Sequence, residues 1–342
     1  MTNQNQAAWI TEARSRPLKV DAAPDAKAGP GEVVVKNAAI AINPVDWKIQ
    51  EWGIFVQKYP NVLGEDIAGE IVEVGSGVSH LKKGDRAIAH CIGLMTNDPK
   101  NGAFQLYTVC DALTVSPIPS TLSFERGAVL PLAISTAAVG LFAKDRLALP
   151  FPTTGASKPT GKSVLIWGGS SSVGATAIQL AVAAGVEVVT IASKHNLDFV
   201  KSVGANHAFD YRSSSVVDDI VAAVKGTDFA GVYDAIGSAD AIKLWSQVIQ
   251  KVGAGTFACT MPEPEGIPEG IKGGGITALT INNKDKDIGQ AIWGKFIPEA
   301  LANGSFQAKP DPQVITGGLS KIQEACDVLK KGISAGKVVV KV

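Results

Sequence analysis

The amino-acid sequence predicts an α/β chain in which a doubly wound parallel sheet is joined to a smaller, irregular β-rich domain. Three observations predict it. At 342 residues the chain is longer than one core usually fills, so two domains are expected. From about Leu130 onward, short apolar strands alternate with helical segments, the pattern of parallel strands linked by right-handed crossovers. Before Leu130, short strands are instead separated by glycine turns.

Taken in order, Ala7 to Val20 alternates weakly and Pro24 to Pro30 is a loop. Gly31 to Ile42 reads as a strand, and Ala41 to Lys48 as a turn opening a short helix. Ile67 to Gly75 and Leu81 to Ala89 are further strands, and Asn97 to Gly102 is an exposed loop. Gly127 to Ala143 is uncharged, but it is short for a membrane span and contains Pro131, Ser135 and Thr136, so a buried helix between domains is expected. Val164 to Trp167, Val186 to Ala192, His207 to Asp210, Gly231 to Ala235, Gly255 to Thr260 and Ile276 to Ile281 supply the strands of a six-stranded parallel sheet. Leu147 to Lys162 and Pro262 to Gly275, rich in Pro and Gly, are expected as loop insertions that border a ligand cleft. A long helix over Asp287 to Asn303 and another around Leu319 to Gly332 precede a last strand, Lys337 to Val342, which should return to the first domain. The expected domains are 1–130 with 304–342, and 131–303.

Composition excludes several classes of function. With 46% hydrophobic and 19% charged residues and a formal net charge of zero, the chain offers no basic counterpart to nucleic acid or to an anionic membrane. Met1 to Ile10 lacks a charged segment followed by an apolar one, so no secretory signal is expected. Cys91, Cys110, Cys259 and Cys326 are scattered without a C-x-x-C pair, which argues against a disulfide framework and for a reducing, cytoplasmic setting. His90 beside Cys91 reads as core packing rather than as the start of a metal site.

The strand before Gly168 leads through a glycine turn into a run of small apolar residues ending at Gly185. A helix N-terminus with no bulky side chains in front of it accepts a pyrophosphate, so Gly169, Ser170, Ser171, Ser172, Val173 and Gly174 are the candidate contacts. Gly169 and Gly174 fall at the first and last glycines of the dinucleotide fingerprint, while Ser171 or Ser172 replaces the middle one. Nineteen residues after Gly174, where an acid would bind a free ribose 2′-hydroxyl, the chain has Ser193-Lys194-His195. A hydroxyl and a cation suit a 2′-phosphate, predicting NADPH rather than NADH.

The succession Gly31-Glu32-Val33-Val34-Val35, Asn43-Pro44-Val45-Asp46, Leu63 to Gly69, Lys83-Gly84-Asp85-Arg86, the glycine turn, Asp210-Tyr211, Asp234-Ala235-Ile236-Gly237 and Gly336-Lys337-Val338-Val339 resembles the medium-chain dehydrogenase/reductase superfamily. It is most similar to the zinc-free quinone oxidoreductase and enoyl reductase branch. The Phe142 to Lys162 insertion resembles that of fungal enoyl reductases acting in trans with polyketide synthases. The resemblance implies a GroES-like domain followed by a Rossmann domain. It also implies that Ser193, Lys194 and Tyr211 contact the adenosine 2′-phosphate, that Ile236 and Gly237 lie beneath the ribose, and that Thr136, opening the interdomain helix, lies near the nicotinamide carboxamide.

Departures from the zinc alcohol dehydrogenases of that superfamily shape the expected chemistry. Their first cysteine ligand is replaced by Asn43, their Gly-His-Glu by Gly64-Glu65-Asp66, and their third-ligand region by Leu132 to Thr136. No tetrahedral zinc set is expected from these residues. Without a Lewis acid, reduction of a C=C bond conjugated to a carbonyl is the fitting reaction, because it needs only hydride delivery, a polarised carbonyl and a proton. The expected activity is NADPH-dependent reduction of an α,β-unsaturated thioester or ketone. Reduction of small quinones or enones, or a non-catalytic NADPH-binding role, are the alternatives. Asn43 could bind the substrate carbonyl or the nicotinamide ribose, or simply shape the turn before Pro44. Lys48 could donate a proton or pair with Asp46, and Tyr59 is another donor. Expected partners are a small enoyl or enone substrate and an acyl carrier or polyketide synthase acting in trans, with the chain a monomer or homodimer.

Overall fold

The computed structural model describes residues 4–155, 157–261 and 264–342. Ala156 of the first expected insertion and Pro262 and Glu263 of the second lie outside the described residues. The described strands are β1 (Asn5–Ile10), β2 (Lys19–Ala23), β3 (Glu32–Ala41), β4 (Asn61–Val62), β5 (Asp66–Val74), β6 (Arg86–His90), β7 (Tyr107–Asp111), β8 (Val115–Pro117), β9 (Lys162–Trp167), β10 (Glu187–Ala192), β11 (His207–Asp210), β12 (Asp228–Asp234), β13 (Thr256–Cys259), β14 (Gly273–Gly275), β15 (Pro312–Thr316) and β16 (Lys337–Lys341). They form two compact units: Met1–Leu132 with Trp293–Asn303 and Ala308–Val342, and Ala133–Ile292 with Gly304–Gln307.

The first unit is built on β3. Its apolar residues Val33, Val34, Val35, Ile40 and Ala41 are all at most 1% exposed, because the strand has neighbours on both edges. The sheet order is β15-β16-β3-β5-β6-β8, with β7 also on β3, and a separate small sheet runs β2-β1-β4. The C-terminal strand returns to this unit as expected, β16 lying antiparallel to β3 with Val339 opposite Ala41. β15, parallel to β16, has no counterpart in the sequence reading. Its burial is slight, so it carries little apolar signal.

The second unit is the expected six-stranded parallel sheet, in the order β11-β10-β9-β12-β13-β14. Val164, Leu165 and Ile166 at its centre are fully buried, each stabilising the fold by about 1.5–3 kcal/mol. The strand order reverses between β9 and β12, and ligands of such sheets bind at the carboxyl ends on either side of that point.

Three expectations are corrected here. The sixth strand is Gly273–Gly275, within the expected Pro262–Gly275 loop, whereas Ala278–Asn282 is a 3₁₀ turn. The reason is steric: Gly273 has φ +144°, and a Cβ there would stand 2.2 Å from the Phe257 carbonyl oxygen, so glycine alone permits the pairing. The long helix is interrupted: Lys286–Ala291, a wider π turn over Ile292–Phe296, then Ile297–Asn303. From Trp293 it belongs to the first unit, where Ile297–Asn303 packs on β8, so the boundary falls earlier than residue 303.

The apolar stretch Phe124–Phe142 is long and apolar enough to cross a membrane by length and composition, and 78% of it is buried within the fold. It comprises helices Phe124–Gly127 and Pro131–Phe142, and Leu130, Ile134, Ala137 and Leu141 are fully buried core residues.

Candidate cofactor and carbonyl sites

In the second unit, the chain leaves β9 through Gly168 and Gly169 and enters the helix Ser172–Ala183. Gly169 is required because a Cβ there would lie 2.1 Å from the Thr190 hydroxyl on β10. Gly174 is required because its Cβ would lie 2.2 Å from the Gly168 carbonyl oxygen. Ser171 is the N-cap, its hydroxyl accepting the Gly174 N–H at 3.0 Å, and Ser172 begins the helix. Ser170 and Val173 are half-buried around the same turn. A compact turn free of large side chains, ahead of a capped helix whose positive dipole end faces out, fits a pyrophosphate. The sequence reading passed over Gly168, the residue with φ +81°, whose Cβ would meet Ile236 Cγ1 at 2.5 Å. That contact puts the glycine turn of β9 beside the Ile236-Gly237 turn of β12.

The β12 turn is held by Asp234, fully buried. Its Oδ1 accepts the Ile236 N–H at 2.9 Å and the Gly237 N–H at 3.0 Å, and its Oδ2 accepts the Trp245 indole N–H at 2.9 Å. Ile236 is left 47% exposed, as a residue that is to touch a ligand should be. Cys259 lies against the same carboxylate, and burial, aided by the Asp234 charge, pushes its thiol up to about 12.

Ser193 and Lys194 follow β10, and Tyr211 follows β11. The parallel register pairs Ala192 with Asp210, which brings these chain ends side by side. Lys194 is exposed and Tyr211 is 40% exposed, while the Arg212 guanidinium lies 5.0 Å above the Tyr211 ring. Arg212 is a second cation at this end that the spacing argument did not single out.

Two expectations for this unit change. Thr136 does not open its helix, because Pro131, suited to a first turn, starts it earlier; the Thr136 carbonyl accepts the Tyr233 hydroxyl at 3.0 Å. The first insertion is anchored away from the glycine turn. Thr153 N–H, Ser157 Oγ and Thr160 bond to Ala183, Val182 and Gly185, at the far end of a helix about 18 Å long.

The first unit gathers a buried polar group around Asn43, the residue before helix Pro44–Trp52. Asn43 Nδ2 donates to Asp66 Oδ2 at 2.9 Å, and the Lys337 ammonium donates to Asn43 Oδ1 at 2.5 Å while lying 3.0 Å from Asp66 Oδ2. Asp66 Oδ1 accepts the Leu132 N–H at 2.6 Å. Asn43, Asp66 and Lys337 are 3%, 0% and 4% exposed. Asp46 accepts the Asn43 N–H at 2.7 Å, and burial pushes its carboxyl well above the usual range, with Glu65 and Asp66 adding to the rise. Glu65 is raised by burial too, against the pull of His90 at 2.9 Å.

Lys48 does not bridge to Asp46 but lies over the Trp47 and Trp52 rings, 5.8 and 5.6 Å from their centroids. Tyr59 is half-buried, and its hydroxyl has no hydrogen-bond partner among the described residues. That hydroxyl is shielded from solvent, so its unmade hydrogen bond is a cost to the fold unless a bound group reaches it.

The residues at the zinc-ligand positions do not fit a zinc ion. Asn43 Oδ1 is bound to an ammonium, Glu65 is held by His90, and Leu132 has a hydrocarbon side chain. Among the described residues, no group of three or more His, Cys, Asp or Glu is arranged to hold a metal.

Comparison with known proteins agrees with this architecture. Residues 29–120 match the family described as alcohol dehydrogenase GroES-like domain, and residues 172–295 match that described as zinc-binding dehydrogenase. The chain is 45% identical over 338 residues to the trans-enoyl reductase himH of Aspergillus japonicus, covering 99% of this chain and 97% of that protein. Among solved structures it is similar to an alcohol dehydrogenase superfamily protein from Novosphingobium aromaticivorans, with a TM-score of 0.77, 26% identity and 99% of both chains covered. The fold is also that of the CurK enoyl reductase, with a TM-score of 0.74, 21% identity and 99% of both chains covered. With a whole-length relative at this identity and both family matches in place, the chain belongs to the medium-chain dehydrogenase/reductase superfamily of nicotinamide-dependent oxidoreductases.

Proposed function

We propose that the protein is an NADPH-dependent enoyl reductase that reduces the C=C bond of an α,β-unsaturated thioester or ketone without zinc. The observation that carries this reading is the donor chemistry of the first unit: an Asn43 amide backed by an ammonium and an unpartnered Tyr59 hydroxyl, in place of metal ligands. Oxidising an alcohol without a Lewis acid would leave an alkoxide unsupported, whereas an enolate oxygen is stabilised by hydrogen-bond donors of this type. The 45% identical trans-enoyl reductase supports the same reaction class.

Bound NADPH supplies the hydride, which adds to the β-carbon of the substrate. The C=C electron pair moves toward the carbonyl oxygen, where Asn43 Nδ2–H and the Tyr59 hydroxyl donate. The enolate then takes a proton at the α-carbon, from Tyr59 or from water, completing a net gain of hydride and proton. The turn Gly169 to Gly174 would hold the pyrophosphate of the cofactor, with Ile236 and Gly237 on its ribose side and Thr136 on its carboxamide side. Ser193, Lys194 and Tyr211, joined by Arg212, would hold the 2′-phosphate and so favour NADPH over NADH. An acyl thioester carried by a separate synthase is the substrate form proposed here, in line with the relative described as a trans-enoyl reductase. Four buried thiols with no disulfide are in keeping with a reducing, cytoplasmic setting.

Steady-state oxidation of NADPH against crotonyl-CoA, longer enoyl thioesters, enones and quinones, together with reduction of NADP+ by simple alcohols, tests this reading. Turnover of thioesters well above the rest is expected. Efficient alcohol oxidation, or no turnover with any acceptor, would refute it.

A further inference from the structure

We infer that Lys337, from the last strand of the chain, is a positioning residue for the carbonyl-binding amide of Asn43. The inference rests on the enoyl reductase reading above. Asn43 and Lys337 are 294 residues apart in sequence, and their side chains meet at 2.5 Å in a site where both are almost wholly buried.

The contacts leave the amide little freedom. Its oxygen is taken by the Lys337 ammonium, and one of its two N–H bonds is taken by Asp66. Asp66 is committed in turn, with Oδ1 accepting from the Leu132 backbone and Oδ2 receiving both Asn43 and Lys337. The amide is therefore pinned with its acceptor turned to a cation and one N–H left to donate. A substrate oxygen that gains negative charge during hydride transfer meets a donor and never the amide oxygen.

The ammonium also acts through its charge. Asp66 alone would place a buried negative charge beside an oxygen that becomes negative in the transition state, which opposes the reaction. The Lys337 ammonium cancels that charge. Through the amide it also polarises the remaining N–H, because hydrogen bonds in a chain strengthen one another. Neither effect needs Lys337 to touch the substrate.

The test is a double-mutant cycle on kcat with crotonyl-CoA and saturating NADPH. Lys337→Met should lower kcat at least tenfold with NADPH affinity unchanged within twofold, and Lys337→Arg should recover most of the loss. In an Asn43→Ala background, adding Lys337→Met should cost less than a further twofold. Wild-type kcat in Lys337→Met, or losses that multiply in the double variant, would overturn the inference. If the lone Asp66 charge prevents Lys337→Met from folding, Lys337→Met combined with Asp66→Asn is compared with Asp66→Asn alone: a severalfold lower kcat is expected from the lost hold on the amide, and equal kcat overturns the inference. A crystal structure of the folded variant gives a readout independent of activity: a turned or disordered Asn43 amide is expected, and an unchanged amide overturns the inference. Absence of enoyl turnover by the wild type would sink the functional reading, and the crystal structure would still decide the role of Lys337.

Discussion

Replacing Asp234 by Asn tests how the end of β12 is held. The side chain is fully buried, with two backbone N–H groups on Oδ1 and the Trp245 indole N–H on Oδ2. An amide keeps one oxygen and turns the other position into a donor. If its oxygen keeps the Ile236 and Gly237 N–H groups, its NH₂ faces the indole N–H, donor against donor at a distance of 2.9 Å. The reverse orientation strands both backbone groups. The better orientation loses a charge-assisted bond and leaves a buried indole donor unsatisfied, costing about 2–4 kcal/mol. With a urea slope of about 2 kcal/mol/M, the unfolding midpoint should fall by about 1–2 M. Because the same bonds shape the turn proposed to lie beneath the ribose, NADPH affinity should fall about tenfold or more at low urea. The assay is urea unfolding by circular dichroism together with an NADPH titration. Asp240→Asn is the control, since this neighbouring acid is exposed and its loss should stay within about 1 kcal/mol. Wild-type midpoint and affinity in Asp234→Asn would refute the reasoning.

Lys194→Ala should weaken NADPH by about tenfold to 150-fold through loss of a contact of about 1.5–3 kcal/mol, and leave NADH unchanged; equal losses for both nucleotides in a fluorescence titration would remove Lys194 from the 2′-phosphate site. Tyr59→Phe should reduce kcat on enoyl thioesters more than Lys48→Ala does, because the Tyr59 hydroxyl is unpartnered while Lys48 is engaged with Trp47 and Trp52. Steady-state rates that rank the two variants the other way would reverse the assignment. Activity should survive chelator, and elemental analysis should find no stoichiometric zinc. Asp46 has a folded-state pKa raised well above 3.8, so the folded chain holds a proton that the unfolded chain releases, and stability falls as pH rises through that window. Asp46→Asn removes this slope while keeping an acceptor for Asn43. Its urea midpoint should therefore gain on wild type as pH is raised from 4 toward 8, and a constant difference would contradict the burial argument.

The sequence by itself determined whatever depends on residues close along the chain. The glycine turn is legible because Gly174 answers to a steric limit within one strand-turn-helix unit and Gly169 to the very next strand, β10, at whose end Ser193-Lys194 then falls. The number of sheet strands followed from apolar runs, but the sixth was misplaced: three glycines carry no apolar signal, and only the approach of Phe257 makes them a strand. Tertiary structure alone decided the surroundings of Asn43. Sequence could name that residue, yet its amide is oriented by Asp66 and Lys337, which arrive on β5 and β16 from distant parts of the chain. The same holds for Lys48, whose ammonium finds two aromatic faces rather than the nearest carboxylate, and for Tyr59, whose hydroxyl is left without a partner. Spacing reports which residues share a turn or a face. Which buried donor meets which acceptor is settled only when strands remote in sequence pair, because the cost of burying an unpaired polar group is set by the finished packing.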